Sequence, residues 1–205
     1  MVYKKKIGFD LDNTVIDYSL SCMEYCEKSN LSKMGSTVEL KRYLNHIDPS
    51  TMTWNKAQSW IYTDGLHFAE PAAGLEDLLR WLNNNNYEIT IHSHKTKETP
   101  QSSGSLNLRT PMEKWFKTSI LAQYLNFSSQ VHFYESKDEK IEGIRKAQLD
   151  IFVDDLIEIF LHPRYPHKIQ SFLIGNENPD IGTVKHFVNF KDMTEWIQKN
   201  DTRHS

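Results

Sequence analysis

Six short segments of the chain are apolar or alternate between apolar and polar residues. Such segments are typical of β-strands, because successive side chains on a strand point to its two opposite faces. Helical patterns separate most of them, which indicates a strand–helix alternation. The predicted strands cover residues 4–9, 87–92, 130–134, 149–153, 169–174 and, as a short edge strand, 184–188.

The segments between the strands contain helical signals. Leucines recur at helical spacing in residues 75–82. Thr110 to Glu113 has the form of a capping box, with Pro111 at the first helical position. A further helix is predicted over 138–147. Because strands that alternate with helices form right-handed βαβ units, the sequence predicts an α/β fold with a three-layer, Rossmann-like parallel sheet.

The stretch after the first strand departs from this alternation. It contains helical patterns at 20–28, 37–45 and 50–62, and no convincing strand. A stretch of about fifty residues is longer than the dozen or so that a simple crossover needs. We therefore expect a helical cap over residues 17–70, inserted into a core domain formed by residues 1–16 and 71–205.

Polar or charged residues follow four of the predicted strands. In an open parallel sheet, ligands bind at the edge formed by the carboxyl ends of the strands. Residues that are far apart in the sequence are therefore expected to converge on one site. In chain order, the groups are Asp10 with Asp12, Ser93, Lys137 or Lys140, and Asp154 with Asp155.

The aspartates in this set predict a metal site. Carboxylates gathered at the ends of buried strands repel each other and need a counter-ion. A cluster without His or Cys favours a hard, oxygen-binding divalent cation. Mg²⁺ fits best, and Mn²⁺ fits less well. The candidate metal-ligating residues are Asp10, Asp12, Asp154 and Asp155.

The other residues of the set suit a phosphorylated substrate. A hydroxyl from Ser93 and a lysine ammonium could hold phosphoryl oxygens while a carboxylate attacks. A second carboxylate could protonate the leaving alcohol and later activate water. Lys137 is favoured over Lys140, because it is predicted to precede its helix and could turn toward the strand ends. His94 and Lys95 are further candidates for binding a substrate anion.

Composition narrows the class of function. The 205 residues carry a net charge of -3, so no overall basic field attracts nucleic acid or an anionic membrane. No apolar run reaches the ~18 residues of a membrane span. Asp10 interrupts the first apolar segment before it could act as a secretion signal. We expect a cytoplasmic protein with reduced thiols at Cys22 and Cys26 and a small phosphorylated substrate. The oligomeric state is not indicated.

The motif from Phe9 to Thr14, FDLDNT, resembles the signature of the haloacid dehalogenase-like (HAD) superfamily in its phosphatase branch. Residues 89–93 and 150–155 resemble the second and fourth motifs of that family, in the expected order. The resemblance covers nearly the whole chain, although the lysine motif is looser. The dehalogenase branch lacks a carboxylate at the position of Asp12, so dehalogenation is disfavoured.

The resemblance implies a role for each residue of the site. Asp10 would be the nucleophile, and Asp12 would be the general acid and base. Asp10, Asp154 and the backbone carbonyl of Asp12 would bind Mg²⁺, with Asp155 supporting the metal through its water shell. The phosphoryl group would be bound by Ser93 and Lys137.

The sequence therefore predicts a Mg²⁺-dependent phosphatase that hydrolyses a small phosphomonoester, such as a nucleotide or a sugar phosphate, through an aspartyl-phosphate on Asp10. Phosphomutase chemistry uses the same groups. Two alternatives are a phosphatase that acts on nucleic-acid ends and a non-catalytic interaction protein on the same scaffold. Trp54 and Trp60 in the predicted cap either pack in its core or form a stacking wall for a substrate ring.

Overall fold

The computed structural model describes residues 4–96, 98–101, 104–176 and 181–201. The strands are β1 (Lys6–Phe9), β2 (Ile16–Asp17), β3 (Glu70–Pro71), β4 (Glu88–His94), β5 (Glu98–Gln101), β6 (Gly104–Asn107), β7 (Val131–Tyr134), β8 (Ile151–Asp154), β9 (Gln170–Ile174) and β10 (Val184–Phe187). The helices are α1 (Ser19–Lys28), α2 (Thr37–Ile47), α3 (Met52–Ile61), α4 (Leu75–Asn84), α5 (Arg109–Thr118), α6 (Phe127–Gln130), α7 (Lys137–Ala147), α8 (Ile157–Phe160) and α9 (Phe190–Asn200). Short 3₁₀ helices occupy Asp64–Phe68 and Ile120–Gln123.

A six-stranded sheet in the order β10, β9, β8, β1, β4, β7 forms the centre of the molecule. Every neighbouring pair in this sheet is parallel. The predicted α/β fold is therefore confirmed. The six strands lie at the six predicted segments, and their ends differ from the predicted ones by no more than two residues.

The central strand of the sheet is β1, which pairs with β4 on one side and β8 on the other. Ile7 and Phe9 are fully buried. Between them, a Cβ on Gly8 would approach the Leu149 side chain to 2.4 Å. The nearest atom is a terminal methyl of Leu149, so a larger residue in the middle of β1 would require that side chain to move.

Helices cover both faces of the sheet and produce three layers. On one face, α4 packs against α9, and the buried leucines of α4 join an apolar cluster with Phe9 and Val153. On the other face, Ile141 and Ile144 of α7 pack in a second cluster with Phe152. Val153 and Phe152 lie on opposite faces because adjacent strand residues alternate.

The helical stretch that follows β1 leaves and rejoins the core at one place. β2 and β3 form an antiparallel pair, in which Ile16 lies opposite Pro71 and Asp17 opposite Glu70. Between them, α1, α2 and α3 pack on one another and share the larger apolar cluster with the sheet. The assignment of residues 17–70 as a cap stays a prediction.

The two tryptophans of this helical stretch, one buried and one partly buried, pack against its other residues. Trp54 is buried on α3, and the ring of Trp60 lies 5.7 Å from that of Tyr25. A Cβ on Gly65 would approach the Trp60 ring to 2.4 Å, so this part of the stretch is closely packed. These contacts fit the packing interpretation of Trp54 and Trp60.

Four local features differ from the sequence-based expectations. α5 begins at Arg109, and the side chain that accepts from its first backbone N–H groups belongs to Asn107, not to Thr110. β5 and β6 form a hairpin before this helix, and α9 follows the last strand; neither was predicted. The start of α7 also lies one residue earlier than expected, at Lys137.

Two further findings concern membrane-spanning helices and the cysteines. None of the helices in the described part of the chain combines the length and apolarity that crossing a bilayer requires. Cys22 and Cys26 are free thiols buried in α1.

Candidate active site

The register of the sheet brings the carboxylates of two strands together. Phe9 of β1 lies opposite Val153 of β8, and the backbone N–H of Asp10 donates to the Val153 carbonyl at 2.8 Å. Asp10 and Asp154 therefore leave the sheet side by side. Carboxylate oxygens of Asp10, Asp154 and Asp155 lie within 4.8 Å of one another.

Lys140 reaches this carboxylate cluster from α7. Its Nζ donates to Asp10 Oδ1 at 2.5 Å and to Asp154 Oδ2 at 2.7 Å. Only 2% of the lysine side chain is exposed. Burial acts to lower the pKa of Lys140, but the charges of Asp10 and Asp154 outweigh it and raise that pKa above its usual value. Lys140 is therefore a fixed cation beside Asp10.

Burial changes the acidity of the carboxyl groups. Desolvation raises the pKa of Asp10 to about 7; Lys140 opposes this shift, and the charges of Asp154 and Asp12 add to it. Burial and the charges of Asp154 and Asp10 also raise the pKa of Asp155 well above its ordinary value. Burial is the main cause of both shifts, and the charges of neighbouring carboxylates add to each of them.

Hydrogen bonds orient the two carboxylates that follow β8. The backbone N–H of Leu156 donates to Asp154 Oδ1 at 2.9 Å, and the hydroxyl of Thr14 donates to Asp155 Oδ1 at 3.3 Å. The cluster is thus held in place from both β1 and β8. Several clustered carboxylate oxygens suit a hard divalent ion, so the residues present could hold a metal.

The carboxylate of Asp12 is held apart from this cluster. Its Oδ1 accepts from the Tyr18 hydroxyl at 2.5 Å and from Lys95 Nζ at 2.9 Å. Burial and the charge of Asp12 raise the pKa of Tyr18 well above 10, so its hydroxyl stays protonated and donates. The side chain of Asp12 is 17% exposed.

Lys95 is itself tightly held. Its side chain is 1% exposed, and Nζ lies 3.7 Å from the centre of the Tyr62 ring. Its carbonyl accepts two hydrogen bonds from the Arg109 guanidinium, at 3.0 and 2.8 Å. Arg109 also pairs with Glu135. The contact predicted for Lys95 was a substrate anion; in this structure its partner is Asp12.

The last three residues of β4 differ in burial and in the contacts of their side chains. Ser93 is buried at the carboxyl end of the strand, beside the strand that leads to Asp10. His94 is exposed and follows it. His92 points to the α7 side of the sheet, where it bonds to Thr90 and Tyr134. Burial lowers the pKa of His92 to about 3, so its ring is neutral.

Lys137, the lysine favoured from the sequence, lies elsewhere. Its ammonium pairs with Glu158, and about half of each side chain is exposed. The physical reason is the start of the helix. The Ser136 hydroxyl accepts from the backbone N–H of Glu139 at 3.1 Å, which makes Ser136 the N-cap and places Lys137 inside the helix. Lys140, one turn further, is the lysine that meets Asp10.

Sequence reasoning missed two tyrosines of the site, Tyr18 and Tyr62. Both come from the helical stretch, and their rings pack 5.1 Å apart beside Lys95. Nothing in their sequence context distinguishes them from ordinary core residues. Their role depends on the fold, which brings the helical stretch onto the edge of the sheet.

Comparison with known proteins bears on this arrangement. No family model and no curated protein matches the chain. A haloacid dehalogenase-like hydrolase from Streptococcus pneumoniae does match in structure, with a TM-score of 0.58 at 15% identity, over 96% of this chain and 100% of that one. The chain has the HAD-like fold.

Other solved structures with this fold are equally distant in sequence. A protein named as a predicted phosphoglycolate phosphatase from Haemophilus somnus matches with a TM-score of 0.56 at 14% identity, over 97% of this chain and 100% of that one. A protein assigned as a HAD hydrolase from Bacillus subtilis, described as bound to magnesium, gives 0.56 at 12% identity, over 95% and 98%. At these identities the likeness concerns the fold, and the function must be argued from the residues.

Proposed function

We propose that the protein is a phosphatase that hydrolyses a small phosphomonoester through an aspartyl-phosphate on Asp10. The observation that carries the proposal is the contact between Asp10 and Lys140 beside Asp154, at the carboxyl edge of a parallel sheet. A buried carboxylate held by a cation and next to further carboxylates is an arrangement suited to phosphoryl transfer.

Each residue of the site has a proposed role in the reaction. Asp10 attacks the phosphorus atom, and Lys140 with Ser93 holds the phosphoryl oxygens as charge builds on them. Asp12 protonates the leaving alcohol and then takes a proton from the water that hydrolyses the aspartyl-phosphate. Lys140 replaces Lys137 in this proposal because of its contact with Asp10.

The metal is part of the proposal. Asp10, Asp12, Asp154 and Asp155 carry four negative charges against the two positive charges of Lys95 and Lys140 when all are ionised. A bound Mg²⁺ would offset this excess and supply Lewis-acid polarisation of the phosphoryl group. Asp10, Asp154, the backbone carbonyl of Asp12 and, directly or through water, Asp155 would hold it.

A nucleotide or a sugar phosphate is the proposed substrate class. The helical stretch over residues 17–70 lies against the site through Tyr18 and Tyr62, so a small molecule fits this arrangement better than a long polymer. His94 is exposed at the end of β4 and is proposed to contact the substrate. The name of the Haemophilus somnus protein, a phosphoglycolate phosphatase, places small phosphate esters among the compounds to test.

Turnover of a panel of phosphate esters with Mg²⁺ tests the proposal. The panel includes para-nitrophenyl phosphate, nucleoside monophosphates, sugar phosphates and short alkyl phosphates. Wild-type protein should release inorganic phosphate, and Asp10→Asn should release none, because the amide is a poor nucleophile. Lys5→Met, which removes a lysine that pairs with Asp201 away from the site, is the matched control.

The same panel distinguishes the alternatives. Release of phosphate from nucleic-acid ends, with no release from small esters, would favour the nucleic-acid substrate. If wild-type protein and Asp10→Asn were equally inactive on every compound, the non-catalytic interaction protein would be the better account.

A further inference from the structure

We infer that Tyr18 and Lys95 are positioning residues for Asp12, and that together they select which oxygen of that carboxylate exchanges protons with the substrate. The inference rests on the proposed function and deepens it. It assigns Lys95 to Asp12, where the sequence suggested a contact with the substrate.

The geometry of the two hydrogen bonds carries the inference. Both donors, the Tyr18 hydroxyl at 2.5 Å and Lys95 Nζ at 2.9 Å, bind the same oxygen, Oδ1 of Asp12. A carboxylate oxygen has two lone pairs in its plane, so two donors fill Oδ1. Within residues 4–96, 98–101, 104–176 and 181–201, no donor contacts Oδ2. Oδ2 is therefore the oxygen left to exchange a proton with the substrate.

Both donors are rigid, which a positioning role requires. Tyr18 is 1% exposed and packs on the ring of Tyr62. Lys95 is fixed at its backbone by Arg109 and at its ammonium by the Tyr62 ring. The ammonium of Lys95 is directed at Asp12 and at the Tyr62 ring, which are the contacts that a positioning residue makes. A misplacement of about 1 Å in such a group can cost roughly 10²-fold in rate.

The arrangement also links two parts of the fold. Tyr18 and Tyr62 come from the helical stretch, whereas Lys95 follows β4 of the sheet. Asp12 is placed correctly only when both parts are in contact. The helical stretch thereby contributes to proton transfer through Tyr18, in addition to covering the site.

The proposed reaction includes two proton transfers at Asp12. When a carboxylate oxygen of Asp10 bonds to phosphorus, the bond from phosphorus to the alcohol oxygen breaks and its electron pair stays on that oxygen. The proton on Oδ2 of Asp12 moves to it, and the free alcohol leaves. Oδ2 then takes a proton from water as the water oxygen bonds to phosphorus, and the bond from phosphorus to the Asp10 oxygen breaks with its electron pair returning to Asp10. Inorganic phosphate is released, and both carboxyl groups return to their starting states.

The dependence on the leaving group provides the test. An alkyl alcohol leaves poorly and needs the proton, whereas dinitrophenolate leaves without it. We would measure kcat and KM for the best alkyl phosphate of the panel and for dinitrophenyl phosphate, with Tyr18→Phe and Lys95→Met. Asp12→Asn serves as the reference for complete loss of proton transfer. Tyr165→Phe, which removes a buried hydroxyl bonded to Ser171, and Lys5→Met are the controls.

The expected result is a split between the two substrates. Tyr18→Phe and Lys95→Met should lower kcat/KM for the alkyl ester roughly 10- to 10²-fold, a part of the 10²–10⁴ that general acid–base catalysis supplies. For dinitrophenyl phosphate, kcat/KM should change little, because it reports the steps up to departure of the leaving group and not the later attack of water, in which Asp12 acts for both esters. The two rates are compared within one preparation, so a partly unfolded variant does not alter their ratio. The controls should behave as wild type on both esters.

Two results would overturn the inference. Equal losses of kcat/KM on both esters with KM unchanged would assign these residues a purely structural role, and equal losses caused by a rise in KM would make Lys95 a substrate-binding residue. In either case wild-type turnover would leave the proposed function standing. If wild-type protein hydrolysed neither ester, the proposed function itself would fail.

Discussion

Lys137 and Lys140 lie on the same helix, one turn apart, and have opposite surroundings. Lys137 is 49% exposed and pairs with Glu158 on the surface, whereas Lys140 is 2% exposed between Asp10 and Asp154. Residues three apart are neighbours on a helix surface, so the face of the helix does not separate them. They differ in their position after the Ser136 cap: Lys137 is the first residue of the helix and pairs with Glu158, whereas Lys140 lies one turn further on and contacts the carboxylates.

The comparison indicates at which of these two positions a lysine charge affects stability. A surface ion pair is solvated with or without its partner and contributes about 0–1 kcal/mol. A buried pair that loses one partner leaves the other charge in a poorly solvated place, at a cost of about 3–5 kcal/mol. The same residue type on one helix is therefore expected to be dispensable at one position and essential at the other.

Replacement of Lys140 should have the largest effect. In Lys140→Met, the buried carboxylates lose their cation, so we expect a loss of about 3–5 kcal/mol in the free energy of unfolding. Turnover should fall at least roughly 10³-fold, because the group that holds the phosphoryl oxygens is gone. Urea denaturation and phosphate release measure the two quantities. Wild-type turnover in this variant would remove Lys140 from the site.

Mg²⁺ should act on the buried cluster in a pH-dependent way. The pKa of Asp10 in the folded protein is raised to about 7, so between about pH 4 and 7 the folded state keeps a proton that the unfolded chain has lost. Without metal, stability therefore falls as pH rises through this range. Metal binding needs the ionised carboxylate, so Mg²⁺ should stabilise more at pH 8 than at pH 5.5.

Thermal melting with and without MgCl₂ measures this effect. At a tenfold excess over Kd, binding contributes about 1.4 kcal/mol, or roughly 3–6 °C in Tm for a chain of this size. NaCl at matched ionic strength is the control. A shift of equal size at both pH values, or one reproduced by NaCl, would argue against a metal site at Asp10.

A smaller effect is expected from Ser136→Ala, which tests the helix start that separates the two lysines. The substitution removes the hydroxyl that accepts from Glu139 N–H. Loss of such a cap costs about 1 kcal/mol. Urea denaturation should show this loss, while turnover should fall far less than in Lys140→Met. Unchanged stability would mean that another group fixes the first turn of α7.

The smallest effect is expected from Lys137→Met. The lysine and its partner Glu158 are about half exposed, so stability should change by less than about 0.5 kcal/mol. Turnover should stay near the wild-type value. If this variant lost turnover while Lys140→Met kept it, the sequence-based choice of Lys137 as the phosphate-binding lysine would be restored.

Most of the sheet could be predicted from the sequence, because strand periodicity is local. The segments ending at Asp10 and Asp154 are short apolar runs stopped by carboxylates, and both appear as strands. Helix α9 was missed although Asn189 caps it and its apolar residues have helical spacing. The hairpin of β5 and β6 lacks an alternating apolar pattern, so nothing local indicated it.

The site was only partly predictable for a different reason. Asp10, Asp154 and Asp155 follow strands, and the parallel sheet brings them together without further information. The contacts of Lys95 and Tyr18 with Asp12 depend on how the helical stretch packs on the sheet, which no local pattern encodes. The choice between Lys137 and Lys140 depended on the residue at which α7 begins.

The shared apolar cluster has a consequence for how the molecule comes apart. Ile61 and Leu40 of the helical stretch pack in the same cluster as Phe9 and Leu79 of the sheet layers. Removal of either part would expose this shared cluster to water. We therefore expect the chain to unfold in one cooperative transition. A truncated variant that lacks the helical stretch should expose an apolar surface and aggregate.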